Sequence, residues 1–107
     1  MIAPVFCYNG WQKDYLLLLE QISKTFPNLQ LTFEVVTHRY TSTAKANIYK
    51  MFPNSNLDMD ESKRQFKYGQ FGYGKYIYNK DQMTEIEEFF KVNIRDIFEN
   101  SSLLYIV

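Results

Sequence analysis

The stretch KRQFKYGQFGYGKYIYNK, residues 63–80, holds five basic residues, six aromatics and three of the chain's four glycines in eighteen positions, with no carboxylate. Cations in such a run neutralise phosphates, and rings that cannot reach a core stack on unpaired bases or wedge a duplex. Phe71 and Tyr73, set between glycines beside Lys67 and Lys75, are candidates for that stacking. Phe66, Tyr68, Tyr76 and Tyr78 alternate along the flanking segments and read as cross-strand packing pairs, with the lysines as solvated edge protection. GQFGYG has the order G-x-x-G-x-G, which meets neither the dinucleotide fingerprint nor the P-loop pattern. Its glycines serve tight backbone geometry.

Two further stretches stand where ligand-contacting residues are found in α/β folds, directly after predicted parallel strands: Phe6-Cys7-Tyr8-Asn9 and Thr37-His38-Arg39-Tyr40. His38 and Arg39 are therefore candidates for lining an active site. His38 has no Ser, Cys or carboxylate partner in a recognisable catalytic motif, and a structural role competes with a functional one. Cys7 is the chain's one cysteine and reads as a small buried hydrophobe. One cysteine forms no disulfide framework and ligates no structural zinc or iron–sulfur cluster by itself. The carboxylates of TEIEEFF form a solvated helix face near a favourable amino terminus.

These residues need elements to hold them. MIAPVF reads as a strand, with Pro4 arguing for an edge or a broken ladder. Trp11, Tyr15, Leu18, Leu19, Ile22 and Phe26 recur at helical spacing until Pro27-Asn28. LQLTFEVV, residues 29–36, alternates like a strand. Ser42 or Thr43 caps a short helix running to about Phe52, before a turn at Pro53. Residues 63–80 fold as a β-hairpin, and Asp81 caps a final helix with Met83, Ile86, Phe90, Ile94 and Ile97 on one face. LLYIV closes as a strand. The order is that of an α/β fold with a parallel sheet. A strand beginning at Met1 reads as the cut end of a larger sheet. No run approaches the roughly 18 apolar residues of a membrane span, and no signal peptide is legible, so a cytoplasmic location is expected. Twelve Lys+Arg balance twelve Asp+Glu, yet the basic residues gather in 63–80, and the local patch is what an anionic polymer meets.

Taken together, IAPVF followed by GW, LTFEVVTHRYT, FPNSNLDMDESKRQFKYG, GYGKYIY and IRDIF…LLYIV resemble, in order and spacing, the C-terminal third of spore photoproduct lyase, a radical S-adenosylmethionine DNA-repair enzyme. The resemblance implies an α/β fold that is the C-terminal portion of a partial (β/α) TIM-type barrel with a β-hairpin insertion before the last helix. Residues 1–57 would be barrel, 63–80 the DNA-contacting hairpin and 81–107 the terminal helix and strand. It also implies repair of spore photoproduct (5-thyminyl-5,6-dihydrothymine) in DNA. In the family a 4Fe–4S cluster held by a C-x3-C-x2-C motif cleaves S-adenosylmethionine. This chain lacks that motif, so it is expected to bind no cofactor alone and to be catalytically silent alone. The family's hairpin tip carries an Arg–Tyr pair where this chain has Gln70 and Phe71; Lys75 and Tyr76 match. By the resemblance, Gln70, Phe71, Tyr73, Lys75 and Tyr76 contact DNA, and the backbone of Ala3 lies beside the cofactor. The partners implied are UV-damaged DNA and an upstream N-terminal lyase chain, with no membrane. Two other readings stand beside this one: a stand-alone nucleic-acid-binding module, and an inactive truncated remnant whose open edges, MIAPVF and LTFEVV, associate.

Overall fold

The computed structural model describes residues 1–27, 29–57, 59–68 and 74–107. The chain forms two compact units, one from Met1–Thr37 with Asp81–Val107, the other from His38–Lys80.

The first unit contains β1 (Ile2–Val5), α1 (Trp11–Thr25), β2 (Thr32–Thr37), α3 (Lys80–Ile97, all but its first residue) and β5 (Ser102–Ile106). Its sheet is parallel, in the order β1-β2-β5. β2 is thus the central strand, not the open edge expected of LTFEVV; among the described residues the edges are β1 and β5. The β1–β2 register pairs Ile2 with Val35 and Val5 with Thr37 and shifts between them, where Pro4 can give no N–H to a ladder.

Alternation along β2 sends Phe33, Val35 and Thr37 inward, and all three are buried. α3 covers that face. Phe98, just past its end, packs its ring 4.8 Å from Phe33, and the Thr37 hydroxyl donates to Met83 Sδ at 3.7 Å. Ile86, Phe90 and Ile94 form the buried stripe of α3, four residues apart as a helix requires. α1 meets the same helix through Trp11 against Phe89 (5.0 Å) and Tyr15 against Phe90 (5.9 Å), and Gln12 donates to Glu85 at 2.6 Å. Of the helical stripe read from the sequence, Trp11 and Leu19 are buried, whereas Leu18 and Phe26 are exposed. The stripe on α1 is narrower than its apolar content suggests. Leu29 likewise lies outside β2 and is exposed.

In the second unit, α2 (Ser42–Met51) starts at Thr41, whose hydroxyl accepts from the Ala44 N–H at 3.0 Å. The cap is therefore Thr41 rather than Ser42 or Thr43; Thr41 keeps extended backbone, which leaves its side chain free to turn back. α1 and α2 both stop on a phenylalanine followed by proline, Phe26 and Phe52, each pushed out of helical geometry by the ring that follows. A single 3-10 turn, Glu61–Lys63, leads into β3 (Arg64–Tyr68), which pairs antiparallel with β4 (Gly74–Tyr78). α3 begins at Lys80, so Asp81 sits in its first turn, near the positive end of the helix dipole, instead of capping it. Among the described residues no helix is long and apolar enough to cross a membrane.

Candidate nucleic-acid interface

The β3–β4 register sorts the basic and aromatic residues onto two faces. Arg64, Phe66 and Tyr68 lie opposite Tyr78, Tyr76 and Gly74, while Gln65 and Lys67 lie opposite Ile77 and Lys75. Because side chains alternate along a strand, one face carries the rings and the guanidinium, and the other carries the two lysines.

On the aromatic face the rings form a continuous ladder. Tyr40 hydrogen-bonds Tyr76 through both backbone groups, at 3.1 and 2.7 Å, and stacks on it at 5.4 Å and 22°. With its backbone groups committed to Tyr40, Tyr76 meets Phe66 in the closer kind of cross-strand pair, rings 5.2 Å apart. Phe66 in turn meets Tyr68 edge-on at 5.0 Å. Phe66 also lies across Gly74, where a Cβ would collide with its ring. The ladder runs from buried to open: Tyr40 and Tyr78 are both 4% exposed, Phe66 is 44% and Tyr68 78%. Packing accounts for Tyr76 and Tyr78 but not for Tyr68, which faces a glycine and presents most of its ring to solvent.

On the other face Lys67 and Lys75 are direct cross-strand neighbours. Like charges so placed repel. An anion between them would turn that cost into a gain.

Arg64 anchors the buried end. Its guanidinium lies 3.8 Å from the Tyr78 ring centroid and 5.3 Å from that of Tyr40. It donates to the His38 carbonyl at 2.9 Å and meets His38 Nδ1 at 3.1 Å. Sequence reading included Tyr40 in the stretch after β2 but gave Arg64 no role in the site. The alternation Arg64–Phe66–Tyr68 placed Arg64 among rings, but nothing local signals that a residue 26 positions earlier would receive it.

Lys45 of α2 pairs with Glu61 at 2.7 Å. That hydrogen bond holds the Glu61 carboxyl below its ordinary 4.5 and pushes the Lys45 ammonium up. A depressed carboxyl stabilises the fold above its ordinary pKa and loses that contribution as pH falls through the folded value. The tie between α2 and the 3-10 turn is therefore expected to be intact at neutral pH and to weaken below about 4.5. Substituting Lys45→Met should move the Glu61 carboxyl back towards 4.5, read by carbon-detected NMR titration. An unmoved titration would refute it.

The Tyr40 hydroxyl is buried without a hydrogen-bond partner among the described residues, and burial, then Glu61, raises its pKa. A buried hydroxyl left unpaired costs free energy. Tyr40→Phe keeps the stack and is expected to stabilise the chain by about 1 kcal/mol in urea unfolding.

The remaining candidate positions fall as follows. Gln70, Phe71 and Tyr73 lie outside the described residues. Lys75 and Tyr76 are half-buried on β4, and His38 and Arg39 follow β2 in the chain, with Arg39 Nε buried and unpaired among the described residues. Within its unit His38 meets the aromatic ladder through Arg64 at 3.1 Å and through Tyr40 at 5.9 Å between ring centroids. Ala3 belongs to the sheet unit and is exposed at the register break of β1. Tyr8 donates to Asp14 at 2.6 Å, and this bond pushes its phenol up to about 12. For a 4Fe–4S cluster the donor set does not fit: Cys7 is the chain's one cysteine, and the described residues hold no metal-binding group of three His, Cys, Asp or Glu.

The chain is a mixed α/β protein, and the model of one family, spore photoproduct lyase, matches it over residues 1–107. It belongs to the spore photoproduct lyase family. It is 48% identical over 107 residues to the spore photoproduct lyase of Clostridium acetobutylicum, covering 100% of this chain and 32% of that one. It is 36% identical over 108 residues to that of Bacillus subtilis, covering 98% and 32%. Among solved structures it is similar to a spore photoproduct lyase complexed with dinucleoside spore photoproduct (TM-score 0.92, 32% identity, 98% of this chain and 32% of that one). A substituted lyase with bound AdoMet and dinucleoside spore photoproduct is equally similar (TM-score 0.92, 32% identity, 99% and 32%). The chain thus spans about a third of the length of the relatives it matches.

Proposed function

We propose that this chain is the lesion-contacting, C-terminal region of a spore photoproduct lyase, working on DNA that carries the spore photoproduct. In this reading β1, β2 and β5 with their helices, within residues 1–57 and 81–107, are part of a (β/α) barrel wall, and residues 63–80 are a hairpin that grips the nucleic acid. The observation that carries it is the sorting of the β3–β4 pair into an aromatic face ending in open Phe66 and Tyr68 and an opposite face with paired Lys67 and Lys75. Rings for bases and cations for phosphates are the two requirements of a single-strand or unstacked-step binder. The family relationship to a lyase complexed with dinucleoside spore photoproduct supports the same partner. The parallel sheet supports the barrel: parallel strands are ordinarily covered on both faces, and α3 covers only one.

Gln70, Phe71, Tyr73, Lys75 and Tyr76 are assigned the DNA contacts, His38 and Arg39 the lining of the site, and the Ala3 backbone a place beside S-adenosylmethionine. The cluster that would cleave that cofactor needs three thiolates, which this chain does not have. Chemistry therefore belongs to a cluster-bearing segment acting with it, and the chain contributes binding and orientation.

The test is titration of a labelled oligothymidylate with the purified chain, read by fluorescence anisotropy over a range of salt. Affinity should fall steeply with salt, and Lys75→Ala should flatten the log–log slope by about 0.7, the value of one phosphate contact on a single strand. Absent or salt-insensitive binding would sink the proposal. Addition of the chain to a lyase truncated before this region, with restored repair as the expected result, tests the assignment to a shared barrel.

A further inference from the structure

We infer that the outer edge of β5, with the flank of α3 beside it, is a docking surface for a second copy of this chain, the two β5 strands lying antiparallel across a two-fold axis. The inference does not depend on the nucleic-acid reading above.

Among the described residues β5 is an edge of the parallel sheet, and an edge strand presents backbone N–H and C=O groups on its outer side. Such edges are ordinarily blunted by charge or proline. The other edge, β1, carries Pro4, whereas β5, SLLYI, has neither a charge nor a proline. Four of its five residues are apolar or aromatic, yet none of the five is buried. Its register with β2 passes from Leu103, opposite Phe33, to Tyr105, opposite Glu34, and skips Leu104. Leu104 is 60% exposed and Tyr105 beside it 42%. An uncharged apolar edge of this kind is a template for another strand.

The flank of α3 says which strand. Glu87, Lys91, Leu103, Leu104, Tyr105 and Ile106 line a groove of about 240 Å³ between α3 and β5. Lys91 and Leu103 also line the adjoining groove, towards Arg95 and Phe98, whereas Glu87, Tyr105 and Ile106 do not. Glu87 therefore stands at the Ile106 end of the edge and Lys91 at the Leu103 end. Neither side chain is ion-paired among the described residues. A two-fold axis at Leu104 brings the Ile106 end of one strand against the Leu103 end of the other, so each Glu87 faces the partner's Lys91. Leu104 and Tyr105 of the two copies then cover one another. A parallel arrangement would set like charge on like charge and repel. The charges thus select the antiparallel orientation, and an isologous contact of this kind closes at two copies.

Sedimentation equilibrium of the purified chain at low salt should show a reversible monomer–dimer equilibrium at about 1–100 μM, the strength of a small interface. A chain that stays monomeric through that range, or that grows beyond the dimer, overturns the inference. Leu104→Lys, which places two ammonium groups at the axis, should weaken dimerisation by about tenfold or more, and an unchanged equilibrium also overturns it. Glu87→Lys and Lys91→Glu should each weaken self-association by about tenfold, because each sets like charges across the axis. An equimolar mixture of these two variants should dimerise within about twofold of the parent, because every cross-axis pair is then of opposite sign. Variants that self-associate like the parent, or a mixture that does not recover, overturn the antiparallel pairing. Trp11 fluorescence during urea unfolding, at concentrations below the dimer range, checks that each variant is folded. If one single variant is not, the chain carrying both reversals is read in place of the mixture, with the same recovery expected and the same failure decisive.

Discussion

Phe90→Ala is expected to lower the stability of the sheet unit by about 3–5 kcal/mol, the range for deleting a fully buried aromatic ring. Phe90 has no exposed surface and lies at the centre of the α3 stripe, with Ile86 and Ile94 one turn to either side. Its ring touches Tyr15 of α1 at 5.9 Å and its own neighbour Phe89 at 5.1 Å, both edge-on, so truncation removes a contact between α1 and α3 and opens a void in the close-packed core. Against a total of about 5–15 kcal/mol for a small domain, such a loss leaves little margin. The measurement is urea unfolding followed by Trp11 fluorescence, since this single tryptophan lies in the same unit. Val92→Ala, on the exposed side of the same helix, is the control and should shift stability by no more than about 0.5 kcal/mol. Equal effects of the two would contradict the packing.

Phe71→Ala is expected to weaken oligothymidylate binding by about five- to hundredfold, corresponding to the loss of one stacked base at about 1–3 kcal/mol. Phe71→Tyr and Phe71→Trp should retain affinity, because stacking needs a π-face and not a particular substituent. Phe71→Leu, similar in volume but without that face, should behave like alanine. If leucine binds as well as phenylalanine, the ring acts as an apolar wedge and the stacking argument fails. The salt slope should stay unchanged in all four variants, which separates the ring's contribution from that of Lys75.

Much of the fold was legible because its signals are local. The alternation of Phe33 and Val35, the spacing of Ile86, Phe90 and Ile94, and the prolines after Phe26 and Phe52 each act within a few residues. The misjudged positions depended on distant partners. Leu18 and Phe26 fit a helical stripe, but which part of it is buried depends on where α3 lies, more than 50 residues later. LTFEVV reads as an edge until β5 arrives on its far side. In the candidate interface the charge and aromatic content of residues 63–80 was visible, whereas the register that divides rings from lysines, and the contact of Arg64 with His38, arise only on pairing. Tyr68 was misread as packing because its cross-strand partner, Gly74, has no ring to pack against.

The segment His38–Lys80 is continuous in the chain, while the sheet unit is assembled from stretches on both sides of it. During synthesis β2 therefore emerges long before β5 can pair with it, and its Phe33–Val35 edge waits exposed while the intervening residues are made. The antiparallel β3–β4 pair needs no such wait and can close as soon as its own residues leave the ribosome. Vectorial production should thus order the maturation of this protein, the β3–β4 pair first and the three-stranded sheet last, with the interval between them the period of greatest exposure to aggregation and chaperone capture.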